Sequence, residues 1–197
     1  MRKLLYLSLS LIVILTACGG KSKSASTKRS VLPPDSLVVP YEDEMFSLLL
    51  PQGWTWETDT VETWAMKHIV DSLKITSGVV EFFPPDGSFK IRFVKGATRW
   101  LYPNNPLSDI VSMSRYRASV DSACIYISDV TDSLSVDGSE ACGVWSAYDF
   151  EGDTIIQDQL VVIKDKYDLY YLNGVYDYGD DKSARIFHKI LSTVKLK

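Results

Sequence analysis

The chain has 197 residues, with 21 basic and 25 acidic side chains, a formal charge of −4 and 46% apolar residues. Every acid lies beyond residue 30, so from residue 31 onward the balance is 15 basic against 25 acidic, or −10. A surface that neutralises phosphates needs a basic patch, so nucleic acid is excluded as a partner.

Met1-Arg2-Lys3 is a basic start, followed by an apolar run from Leu4 to Leu15 and by the small residues before Cys18-Gly19-Gly20. This is the layout of an export signal with a cleavage site, residues 1–17. The run falls short of the roughly 20 apolar residues of a spanning helix and contains Ser8 and Ser10.

Leu15-Thr16-Ala17-Cys18 resembles the lipobox of bacterial lipoproteins. The resemblance implies diacylglycerol on the Cys18 thiol, cleavage before it, and a membrane as the first partner. One acyl chain anchors only marginally, and the lipoprotein pattern implies two or three. Gly19 in place of an aspartate implies, in a Gram-negative host, the outer membrane facing the periplasm.

Residues 18–35 are rich in Gly, Ser, Lys and Thr, have little to bury, and close on Pro33-Pro34. They form a tether whose coil dimensions put the domain on the order of 20 to 25 Å from the bilayer. Residues 36–197 then suit one domain with one core.

Met45 to Leu50 is an apolar strand ended by Pro51-Gln52-Gly53-Trp54. Asp59-Thr60-Val61-Glu62 has the pattern of a capping box, and Val61, Trp64, Ala65, His68, Ile69 and Leu73 follow at helical spacing, which predicts a helix over 61–73. Residues 79–83 and 88–94, rich in aromatic and β-branched side chains, flank Pro84-Pro85-Asp86-Gly87 and predict a hairpin.

Asn105-Pro106 opens a second helix carrying Leu107, Ile110 and Val111, as far as Val120. Four strands follow, Ala123 to Val130, Ala141 to Phe150, Thr154 to Lys164 and Tyr167 to Tyr176, with tight turns that make them antiparallel neighbours. Asp180-Asp181 begins a last helix with Ala184, Ile186, Phe187, Ile190, Leu191 and Val194 on its apolar face. The expected class is α+β: an antiparallel sheet of about six to seven strands flanked by helices.

Three stretches resemble the PsbP-like superfamily, which includes bacterial lipoproteins of the DcrB kind. They are Met45 to Trp54, Val136-Asp137-Gly138 running into Val144-Trp145-Ser146-Ala147-Tyr148, and Ala184 to Val194. The resemblance implies an α/β/α sandwich over residues 36–197 and a non-catalytic binding or assembly role with an envelope protein as partner.

Candidate chemistry is sparse. Trp54, Trp64 and Trp100 are either core residues or the lining of an aromatic pocket, which would make the chain a small-ligand-binding or hydrolytic envelope protein. Cys124 and Cys142 are either two free thiols or, in an exported protein, a disulfide. His68 and His188 have no second ligand at helical spacing, so neither predicts a metal site. Asp132, Asp137 and Glu140 beside Gly138 are only loosely similar to a calcium loop, because Ser133 and Ser135 stand where acids are wanted. Helix capping accounts for Asp177, Asp180 and Asp181. No nucleophile elbow, phosphate loop, zinc motif or dinucleotide fingerprint is present, and no cofactor is implied.

Overall fold

The computed structural model describes residues 36–65, 73–96, 107–165 and 168–197. The export signal, Cys18, the tether, His68 and Trp100 lie outside these residues.

Two antiparallel meanders make the larger sheet. The first is β3 (Thr55–Ala65), β4 (Leu73–Phe83) and β5 (Lys90–Gly96); the second is β8 (Ser139–Phe150), β9 (Asp153–Ile163) and β10 (Leu169–Asp177). They join where β5 pairs with β10, with Phe93 opposite Leu172 and Ile91 opposite Gly174. At the far edge β6 (Cys124–Ile127) and β7 (Thr131–Val136) both pair with β8, which completes eight strands. A smaller sheet has the order β1 (Leu37–Glu42), β2 (Phe46–Pro51) and β11 (Lys195–Leu196). The class is therefore α+β, with two described helices, α1 (Leu107–Ser119) and α2 (Asp181–Leu191).

Turn chemistry sets the registers. In the β4 to β5 hairpin, Gly87 N donates to Pro84 O at 3.0 Å, and Asp86 Oδ1 accepts from Ser88 N and Ser88 Oγ. Asp137-Gly138 and Glu151-Gly152 both hold positive φ at two consecutive residues, the two-residue turn whose twist matches paired strands.

The large sheet is covered on both faces, which is why β8 and β10 are buried along most of their length. On one face lie the small sheet and α2. Phe46, Leu48 and Leu50 of β2 point inward, and Phe46, Phe82 and Phe93 meet edge to face at 5.2 to 6.3 Å. α2 adds Ile186, Phe187, Ile190 and Leu191 to this core. Its close approach depends on Gly174, where a Cβ would stand 2.9 Å from the Phe187 ring. On the other face α1 buries Leu107, Ile110 and Val111 against Cys142, Val144, Val161, Ile163 and Leu169.

The helix expected over 61–73 is corrected. Val61 to Ala65 belong to β3 and Leu73 opens β4, while 66–72 lie outside the described residues. Thr58, Thr60, Val61, Thr63 and Trp64 suit an extended backbone, and pairing along the whole of β4, from Thr55 opposite Phe83 to Ala65 opposite Leu73, outweighs the helical spacing. Asp59 consequently caps no helix; it stands mid-strand opposite Val79. Eleven described strands replace the six to seven expected, because β1, β3, β7 and β11 join the predicted ones.

Candidate functional site

Trp54 is a core residue: it is buried and packs edge to face on Phe89 at 5.2 Å. Trp64 lies in β3 opposite Lys74. Cys124 and Cys142 are free thiols. Cys124 stands opposite Tyr148, six positions along β8 from Cys142, a separation of roughly 20 Å at strand rise, whereas a disulfide needs Cα atoms within about 7 Å. Burial pushes both thiols up, so both stay protonated at neutral pH.

Of the acidic residues near Gly138 and at the start of α2, Asp137 and Asp180 have structural roles. Asp137 accepts from Lys195 Nζ at 2.8 Å and from the Leu196 amide at 3.0 Å, and lies 3.7 Å from Lys164 Nζ. Asp180 caps α2, accepting from Ser183 N at 3.0 Å and from Ser183 Oγ. Among the described residues no three His, Cys, Asp or Glu side chains gather closely enough to hold a metal ion.

Two polar arrangements cross the large sheet. On the α1 face, Glu57, Glu81, Arg92, Asn173 and Gln159 stand opposite one another on consecutive strands β3, β4, β5, β10 and β9. Gln159 Nε2 donates to Asn173 Oδ1 at 2.8 Å, and Asn173 Nδ2 donates to Arg92 O at 3.3 Å. Glu81 Oε1 accepts from Lys90 Nζ at 3.2 Å and lies 3.6 Å from Arg92 Nε. The buried amides Gln159 and Asn173 satisfy each other, as buried polar groups require, while Arg92 Nε is buried without a hydrogen-bond partner.

The second arrangement, on the α2 face, opens to solvent at the β6 edge. Tyr126 of β6 and Trp145 of β8 stack with ring centroids 4.6 Å apart and remain 52% and 38% exposed. Ser128 of the segment after β6 fixes the Trp145 backbone: its N donates to Trp145 O at 2.9 Å and its Oγ accepts from Trp145 N at 3.0 Å. Directly opposite Trp145 on β9 is Asp158, and opposite side chains on one face stand about 5 Å apart at Cβ. The Asp158 carboxylate, 14% exposed, takes hydrogen bonds from His188 Nε2 of α2 at 3.0 Å and Tyr176 OH of β10 at 3.3 Å. The hydrogen bond to Asp158 raises the His188 pKa against the opposing effect of burial, and burial beside that carboxylate raises Tyr176.

The result is a shelf of two exposed aromatic rings ending at a carboxylate held by two donors. Chemically it can receive a flat apolar group or a cation on the rings, with Asp158 as acceptor at one end. The β6 to β7 edge beside it, residues 121–137, carries Asp121, Asp129, Asp132 and Asp137 and no lysine or arginine.

Sequence reading placed Trp145 in a strand and His188 in a helix but did not bring them together. The available signal was Gln157-Asp158-Gln159, three polar residues interrupting the apolar run from Thr154 to Lys164. No protein-family model matches the chain, and no curated protein matches it in sequence.

Proposed function

We propose that this chain is a lipid-anchored lipoprotein of the bacterial cell envelope whose PsbP-like domain is a non-catalytic binding module, holding a protein partner on the Tyr126–Trp145 shelf. The observation that carries the reading is the stacked aromatic pair left open at a sheet edge beside Asp158, while most large apolar side chains nearby are buried. Exposed aromatics at the centre of a patch are the residues that dominate protein association. Asp158 beside the rings, with Asp121 and Asp132 of the 121–137 edge, where Asp129 and Asp137 are already paired with Arg115 and with Lys195 and Lys164, favours a partner that presents an arginine or lysine over the rings.

Helices on opposite faces of an antiparallel sheet support the PsbP-like reading. The lipobox supports the anchor on Cys18, and in a Gram-negative host the absence of aspartate after it favours the outer membrane, facing the periplasm.

The test is co-purification from detergent-solubilised envelope, with an unrelated lipoprotein as control. The wild-type chain is expected to retain a companion protein that the Tyr126→Ser, Trp145→Ser double variant loses. Trp145 and Tyr126 are 38% and 52% exposed, so the variant is expected to lose some stability and stay folded, which its unfolding midpoint checks. A companion held equally by both proteins, or none above the control, would contradict the reading.

A further inference from the structure

The carboxylate that ends the shelf is shared with a titratable side chain. Asp158 Oδ2 lies 3.0 Å from His188 Nε2 and 3.3 Å from Tyr176 OH, so both donors address one oxygen. A carboxylate has two oxygens and about four acceptor positions, which leaves capacity for a donor from a partner lying over Trp145, directly opposite on β8. His188 stands at the rim of the same site. Its side chain is 58% exposed, against 14% for Asp158, so water reaches the ring and can deliver a proton to it.

The elements around His188 bring few other charges. Strands β2 and β10 pack on α2. The inward residues of β2, Phe46, Leu48 and Leu50, are apolar. On β10, Tyr176 turns its OH to Asp158, whereas Tyr170 turns its OH to the Met45 and Lys197 carbonyls. On α2 itself Arg185 stands one turn before His188 and Lys189 next to it, both exposed, and the Phe187 ring lies 5.4 Å away. Asp180 and Asp181 are two turns back at the helix start, where Asp180 is taken up by Ser183. Among the described residues Asp158 is therefore the acid that meets the imidazole. Its hydrogen bond outweighs burial, so His188 changes charge above the ordinary histidine value of about 6.5.

We infer that His188 makes the shelf responsive to pH: neutral, it leaves the Asp158 charge to a cationic partner, and protonated, it takes that charge for itself and loosens the partner. The inference rests on the reading of the shelf as a partner site and adds its regulation. A neutral imidazole gives Asp158 one hydrogen bond and leaves the carboxylate's charge uncompensated at the end of the rings. An imidazolium cancels that charge and sets a positive group at the rim, where it repels the arginine or lysine that the rings would receive. Burial raises Tyr176, so its OH stays protonated in both states and keeps Asp158 in place. By reciprocity, a partner's cation on Asp158 lowers the proton affinity of His188, so docking releases a proton when it begins from the protonated state.

The experiment runs the envelope co-purification at about pH 6 and about pH 8, a range in which histidine is the ordinary side chain that changes charge. Ionic strength is held constant, and the full chain is compared with His188→Gln and His188→Arg. Glutamine keeps an N–H donor for Asp158 without a charge, and arginine keeps the charge at either pH. The readout for each chain is the companion retained at the higher pH divided by that retained at the lower. The expected ratio is severalfold for wild type and near one for both variants, with His188→Arg retaining less than His188→Gln at the higher pH. A severalfold ratio that persists in His188→Gln would assign the effect to His68 or to the companion and overturn the inference. A wild-type ratio near one, with the companion retained, would overturn the pH response and leave the shelf standing. No companion at either pH would overturn the shelf reading and this inference together.

Discussion

Phe46→Ala is expected to destabilise the domain by about 3 to 5 kcal/mol, the range for removing a fully buried aromatic side chain. Phe46 is completely buried and touches Tyr41, Phe82 and Phe93, so its ring joins the small sheet to β4 and β5 of the large one. Those neighbours are themselves strand residues held by ladders, and they cannot easily collapse into the space left. Urea unfolding checks the value: the midpoint should fall with the slope unchanged, because the surface exposed on unfolding is the same. Leu49→Ala, on the exposed side of the same strand, should shift the midpoint little. A loss below about 1 kcal/mol for Phe46→Ala would mean that the small sheet does not pack as described.

Asp137→Ala is expected to cost about 1 kcal/mol, mainly for leaving the partly buried Leu196 amide without its acceptor, since the Lys195 ammonium is exposed and regains water. Its carboxylate ties the β7 to β8 turn of the large sheet to β11 of the small one, through Lys195 Nζ and the Leu196 amide. β11 has only two residues, with Leu196 opposite Phe46 and Lys195 opposite Ser47, and this clip acts beside the Lys197 N to Met45 O and Tyr170 OH to Lys197 O hydrogen bonds that hold the same end of the chain. The hydrogen bond from Lys195 is the main cause that lowers the Asp137 pKa. A folded-state pKa below the unfolded value means stabilisation that is full above about pH 4 and is lost as pH falls through the lower folded value. The difference in unfolding midpoint between wild type and variant should therefore be constant around neutrality and shrink in acid. A difference that grows in acid would contradict this role.

Much of the fold was legible because local signals and long-range pairing agree. The β4 to β5 hairpin is marked by Pro84-Pro85-Asp86-Gly87, the β7 to β8 and β8 to β9 turns by glycine after an acid, and α2 by Asp180 and an apolar face that ends in Leu191. β3 misled because Val61, Trp64 and Ala65 satisfy a helical period, while the partner that decides their conformation, β4, lies across a connection and contributes nothing to local spacing. β1, β7 and β11 are short, and β11 depends on distant pairing, with Lys195 opposite Ser47.

The shelf was not legible for a related reason. Its rings come from β6 and β8, its carboxylate from β9 and its donors from β10 and α2, so only the register that sets Trp145 opposite Asp158 assembles it. Trp54 fills the core against Phe89, whereas Trp145, part of the aromatic strand β8, reaches a surface where it can meet a partner.

Site-specific photocrosslinking in living cells tests the binding claim most directly. A benzophenone side chain at position 126 should give a discrete crosslinked species in the envelope, and Asp158→Ala should weaken it. The same group at position 116, an exposed tyrosine of α1 across the large sheet from the shelf, should give none. Equal adducts at both positions, or none at 126, would contradict the assignment of this surface as the partner site.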